Sequence, residues 1–267
     1  MMMESTPFYS KPWGRRGLVI GFFFLVMFSW EGVIRLFSVS PLIFPGPVSV
    51  LRALQQGLWS GEMLSHLWVT LYEILVGFGI GAATGLLLGA AIGQSKLLET
   101  VIYPYVVAFQ TMPKVAVAPL FVVWFGYGAA SKIVITATIV FFPVLANTIV
   151  GLRAAPRDQV DLMLAFTASR WQVFRMVRLP HALPYVFAGL DIGIVLAVIG
   201  AIVGEFVGAQ AGLGYLILQR NFSLDTPGVF AILVVLSLIG IVLHGLVKVA
   251  ARKAIFWSET TADLSGG

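Results

Sequence analysis

Apolar runs of about 20 residues recur along this chain, each long enough to cross a hydrocarbon layer as a helix, and nothing else in the sequence limits the fold as strongly. Backbone N–H and C=O groups in lipid have no water to bond, so spanning segments must satisfy them internally, as helices or as a closed barrel. The residue-by-residue alternation of a barrel strand is missing. Of the 267 residues, 59 % are hydrophobic and 11 % charged, more apolar surface than a soluble domain of this length can hide in one core. An all-α membrane protein is predicted.

Six spans are predicted, at about 17–38, 66–93, 100–125, 131–152, 184–208 and 227–250. They leave a tail at 1–16, a membrane domain at 17–250 and a second tail at 251–267. With the N-terminus inside, Lys11, Arg15, Arg16, Lys96, Arg153, Arg157, Arg170, Arg175, Arg178, Lys248, Arg252 and Lys253 are cytoplasmic. Only Arg35, Arg52, Lys132 and Arg220 fall outside. This bias puts both termini in the cytoplasm and accounts for the net charge of +5 without a nucleic-acid partner. The first run follows basic residues and precedes Ser38-Val39-Ser40, the layout of a cleaved signal peptide. Its length, and Glu31 and Arg35 in its second half, favour a retained span. After Pro45-Gly46-Pro47, the residues Val48, Leu51, Leu54 and Leu58 share one helical face, the pattern of a helix lying flat on the outer surface.

Residues 153–183 are too polar to be embedded and too patterned for a loose loop. Pro156 suits a helix start, with that helix running to about Phe166. Ser169-Arg170-Trp171-Gln172 reads as a capping box opening a second helix, which exposes Trp171, Phe174 and Val177 on one side. This helix is expected to end near Leu179, because Pro180 disfavours helical geometry just before it. Two short helices with apolar faces suit docking into a partner's groove; they equally suit lying on headgroups with their arginines toward anionic lipid.

The segment resembles the signature loop of permeases in ATP-binding-cassette importers, E-A-A-x3-G-x9-I-x-L-P. Asp161 stands for Glu, Leu162 and Met163 for the two Ala, Thr167 for Gly, and Val177, Leu179 and Pro180 close the pattern. The run Ala168-Ser169-Arg170-Trp171-Gln172-Val173-Phe174 and the later Leu179-Pro180-His181-Ala182-Leu183-Pro184 are similar to the nitrate/sulfonate/taurine branch. Further matches are Gln110-Thr111-Met112-Pro113-Lys114, Ala118-Pro119-Leu120-Phe121, Trp124-Phe125-Gly126, Gly204-Glu205-Phe206 and Gly212-Leu213-Gly214-Tyr215. The resemblance implies a type I importer permease of the bacterial inner membrane, with six transmembrane helices and a coupling-helix hairpin between spans four and five. It implies a separate ATPase subunit that holds the ATP and Mg and receives the hairpin, with Asp161 paired to a basic residue there. It also implies a periplasmic or extracellular solute-binding protein and a permease homodimer. The solute class it implies is a small anion, sulfonate-, nitrate- or taurine-like, or a vitamin precursor.

Inside the membrane, Gly77, Gly81, Gly85, Gly89 and Gly93 recur every four residues of span two, and Gly189, Gly193, Gly200, Gly204 and Gly208 mark span five. Such stripes let helices approach backbone to backbone, within the bundle or between two copies. Span three carries Pro104, Pro113 and Pro119, each able to bend or break a helix. Gln110, Thr111, Pro113 and Lys114 cluster at the central one and are candidates for the translocation path, the alternative being a kink that only shapes the bundle. Asp191 and Glu205 join them as ionisable groups at membrane depth. Asp191 is expected to pair with Lys114 or Glu73, and Glu205, near a span end, to be solvated.

No G-x-x-x-x-G-K-[ST] sequence is present, and no catalytic cluster converges at either face. The chain has no cysteine, and His66, His181 and His244 lack ligand spacing, so no metal is expected. A non-catalytic transport subunit is the leading reading. An autonomous ion-coupled transporter is the alternative, and it predicts matching broken helices in two halves; Pro-broken span three has no counterpart in span six.

Overall fold

The computed structural model describes residues 12–257. Lys11 and the rest of 1–11, and residues 258–267, lie outside the described residues, as do the side chains of Arg15 and Arg16. The described chain is helical, with no strand among the described residues. In order, α1 spans Pro12–Leu36, α2 Pro47–Trp59, α3 Glu62–Gln94, α4 Lys96–Thr111, α5 Lys114–Phe125 and α6 Ala129–Arg153. Then come α7 Arg157–Ala165, α8 Arg170–Val173, a π-helical turn Phe174–Arg178, α9 Leu179–Gly208, α10 Leu213–Phe222 and α11 Thr226–Ala254. Five helical stretches are long and apolar enough to cross a membrane, and α4 with α5 make a bent sixth.

The glycine spacing organises the bundle around α6. A Cβ added at Gly77 would meet Thr136, at Gly81 Val140, at Gly85 Val144, at Gly89 Thr148 and at Gly93 Leu152. Each four-residue step on α3 matches a four-residue step on α6, so the two helices run parallel with backbones in near contact. On the other side of α6, Gly189 faces Asn147, Gly193 Val140, Gly200 Thr136 and Gly204 Lys132, in descending order, so α9 runs antiparallel to it. Both stripes therefore pack within one chain. Ile74, Val140, Val144, Ile194, Ala197 and Ala201 fill the space between the three helices.

Three expectations need correction. Of the prolines in span three, only Pro113 breaks the helix: α4 and α5 meet at 95° there, while Pro104 and Pro119 sit inside helices. Met112, just before Pro113, is extended, with ψ 130°, as the proline ring demands of its predecessor. Second, the helix expected to stop at Leu179 continues without interruption from Arg170 to Gly208. The π turn at Phe174–Arg178 is what allows it, since proline lacks the N–H and crowds the carbonyl four residues back, and the wider turn opens that register. Third, α2 is amphipathic as expected, but it buries Val50 and packs Ala53 and Leu54 against α11, leaving Val48, Leu51 and Leu58 exposed.

Candidate functional site

The segment after α6 folds as a hairpin whose turn is fully specified by its hydrogen bonds. The α7 helix ends in a Schellman motif: the Thr167 N–H donates to the Leu164 carbonyl (2.9 Å) and the Ala168 N–H to the Met163 carbonyl (3.0 Å). Thr167 takes the left-handed position of that motif, at φ 58°. Ser169 and Gln172 form the expected capping box, the Ser169 N–H donating to Gln172 Oε1 at 2.7 Å and the Gln172 N–H to Ser169 Oγ at 3.3 Å. The left-handed region costs a β-branched residue about 1–2 kcal/mol, against about 0.5–1 kcal/mol of extra unfolded-chain entropy for glycine. Thr167→Gly is thus expected to stabilise the protein by roughly 0.5 kcal/mol, read as a higher thermal midpoint; a lower midpoint would show the threonine hydroxyl, bonded to the Phe166 carbonyl, to outweigh the strain.

The two faces of α7 differ. Leu162 and Phe166 (76 % exposed) project on one side, and Trp171, exposed and stacked on Phe174 with centroids 5.5 Å apart, lies on the next helix. Arg157, Val160 and Asp161 lie on the opposite side and line a cleft against the bundle. Asp161 is exposed within that cleft, and Met163 and Ala168 are half-buried in the turn. Val177, expected on the exposed side, is buried with Val173, because the continuous helix turns both toward the bundle. Leu179 and Pro180 open α9 and are half-buried.

Gln110, Thr111, Pro113 and Lys114 do come together at the right-angle bend between α4 and α5. Gln110, Thr111 and Pro113 are exposed. Lys114 Nζ donates to the Gln110 carbonyl at 2.7 Å and sits 4.6 Å from the centroid of the Phe142 ring. That bond replaces the helical bond which Pro113 interrupts, and the ring face shares the ammonium charge. Phe142 also borders an apolar groove of about 560 Å3 between α3, α4 and α6, with Tyr105, Phe109 and Phe141 on its walls.

Asp191 and Glu205 are placed elsewhere. Asp191 pairs with neither Lys114 nor Glu73: its Oδ1 lies 2.5 Å from His244 Nδ1 of α11. Glu73 is buried in α3, with no hydrogen bond to its Oε2 among the described residues. Glu205, expected to be solvated, is 1 % exposed, because α10 folds back over the end of α9. Its carboxylate accepts from the Thr70 hydroxyl at 2.6 Å and from the Gly214 N–H. Thr70 Oγ1 in turn accepts from the Leu213 N–H at 2.7 Å, and His66 Nδ1 accepts from the Gly212 N–H at 2.9 Å. Three side chains from α3 and α9 thus cap the N-terminus of α10, where free N–H groups and the helix dipole favour an anion. A Cβ at Gly212, whose φ is 113°, would overlap the Glu205 carboxylate, which explains glycine there. Lys132, 1 % exposed, mirrors this arrangement at the end of α9. Its Nζ donates to the carbonyls of Tyr127 (2.6 Å), Gly128 (3.2 Å) and Gly208.

A family model described as binding-protein-dependent transport system inner membrane component matches residues 81–255. The riboflavin transport system permease protein RibX of Chloroflexus aurantiacus is 38 % identical, over 93 % of this chain and 92 % of its own. The putative aliphatic sulfonates transport permease protein SsuC of Bacillus subtilis is 31 % identical, over 86 % of this chain and 84 % of its own. Among solved structures, an inward-facing conformation of the MetNI methionine ABC transporter superposes with a TM-score of 0.62 at 22 % identity, covering 75 % of this chain and 96 % of that one.

Proposed function

Because the chain belongs to the binding-protein-dependent transport system inner membrane component family, we propose that its hairpin at α7 and α8 is where a separate ATPase subunit drives it. It is a multi-pass inner-membrane permease subunit of an ABC importer for small solutes. The observation that carries the coupling reading is the unbroken helix from Arg170 to Gly208. A force applied at Trp171, or passed to it from Leu162 and Phe166 through the hydrogen-bonded turn at 167–169, reaches the membrane core through one rigid body, and such bodies are what domain closure can move. In this reading both termini are cytoplasmic and a soluble binding protein delivers solute to the opposite side. Two copies of the chain enclose the path, with the exposed bend of α4 and α5 lining it. ATP and Mg belong to the ATPase.

The solute is a small anion or a ring compound of vitamin type. Lys114 at the bend supports the first and the aromatic groove beside Phe142 supports the second. Purification from native membranes in a gentle detergent tests the coupling. An ATPase subunit is expected to accompany the wild type and to be lost from a chain carrying Leu162→Asp and Trp171→Ala. Solute uptake by the purified chain alone, in proteoliposomes without any ATPase, would replace this reading with an autonomous transporter.

A further inference from the structure

The cleft behind α7 has a chemistry of its own. It measures about 370 Å3, and Lys96, Arg153, Arg157 and Arg178 on its walls face two carboxylates, Glu99 and Asp161. Arg153 and Glu99 are paired with each other. Among the described residues, no carboxylate lies within ion-pair distance of Lys96, Arg157 or Arg178. Three cations therefore converge on a space that holds one further carboxylate, an arrangement that an anion of one or two charges balances. The guanidinium groups of Arg157 and Arg178 can each offer a paired N–H fork to phosphate oxygens.

Position selects the source of that anion. The cleft opens where α3 and α6 end and α9 begins, since Gly93, Leu152 and Arg178 all border it. That is the depth at which apolar spans give way to headgroups. Immediately beside Lys96, Leu97 (73 % exposed) and Val101 share a face of α4 one turn apart, an apolar strip that continues from the basic cleft toward the hydrocarbon. The exposed Leu162 and Phe166 face of α7 points the other way, so an occupant here leaves the ATPase-facing surface free. We propose that this cleft binds the phosphate of an anionic phospholipid from the adjoining leaflet, between Lys96, Arg157 and Arg178, with its acyl chains along Leu97 and Val101. The lipid then braces α7 against the ends of α3, α4 and α6.

Native mass spectrometry of the intact transporter, titrated with phosphatidylglycerol and with phosphatidylcholine, tests this. The wild type is expected to prefer phosphatidylglycerol by at least about tenfold, and Lys96→Gln with Arg157→Gln and Arg178→Gln to lose the preference. Lys96→Gln alone, an exposed change with no fold to disturb, should lower it about fivefold. A control of equal charge outside the cleft, Arg175→Gln with Arg252→Gln and Lys253→Gln, should retain it. Equal loss in the control overturns the site in favour of diffuse charge, and no preference in the wild type overturns anionic-lipid binding at the cleft altogether. Displacement of phosphatidylglycerol by millimolar inorganic phosphate, with the same dependence on Lys96, overturns the lipid in favour of a free anion.

Discussion

Glu205→Ala is expected to lower stability by about 1–3 kcal/mol, the cost of leaving a buried donor without its acceptor. In a chain of this size that is a fall of roughly 5 °C in the thermal midpoint. The size follows from what the substitution strands. The Gly214 N–H loses its acceptor in a buried site, while the Thr70 hydroxyl can turn to the His66 carbonyl, and unmade buried bonds cost far more than made ones return. Glu205→Gln separates this account from a general packing loss. The amide oxygen can still accept from Gly214, its NH2 can donate to Thr70 Oγ1, and Thr70 keeps the His66 carbonyl at 3.2 Å as its own acceptor. Glutamine should therefore recover most of the loss. Equal destabilisation by alanine and glutamine would show that the charge, rather than the hydrogen-bond pattern, holds α10 in place.

That cap was invisible in the sequence for a definite reason. The run Gly204-Glu205-Phe206 stands close to Gly212-Leu213-Gly214-Tyr215, but Thr70 lies 135 residues before Glu205, and nothing periodic in either helix announces their meeting. Reading Glu205 as solvated followed from its place near a span end, which ignored a short helix folding back over it. Lys132, counted only as a charge on the outer side, is buried at the start of α6 beside Gly126-Tyr127-Gly128, a loop whose carbonyls need donors. His244 was the missed neighbour of Asp191; an ionisable residue within span six was the signal that two helices bring polar groups together there, since lone ionisable groups in lipid are costly. By contrast, what depends on spacing along one helix was legible. The five glycines from Gly77 to Gly93, the box at Ser169 and Gln172, and the break at Pro113 all lie where pattern alone put them. The stripe's direction, toward α6 of the same chain, required the packing itself.

Softening the π turn should abolish transport while leaving the ATPase attached. Arg175 and Met176 are exposed within that turn, so replacing both with glycine removes no buried contact and leaves Leu162, Phe166 and Trp171 untouched. Each glycine costs a helix interior about 1 kcal/mol, enough together to make a local break some thirtyfold easier. A hinge there absorbs the displacement that the continuous helix would pass from α8 into α9. The expected result is an assembled complex that hydrolyses ATP at a rate no longer raised by solute and binding protein, with uptake in proteoliposomes at background. Replacing the same residues with alanine, the strongest helix former, keeps the turn stiff and should preserve uptake. If the double glycine variant transports as well as the alanine one, α8 and α9 do not act as a single lever. Coupling must then pass sideways, through the packing of the π turn against α6.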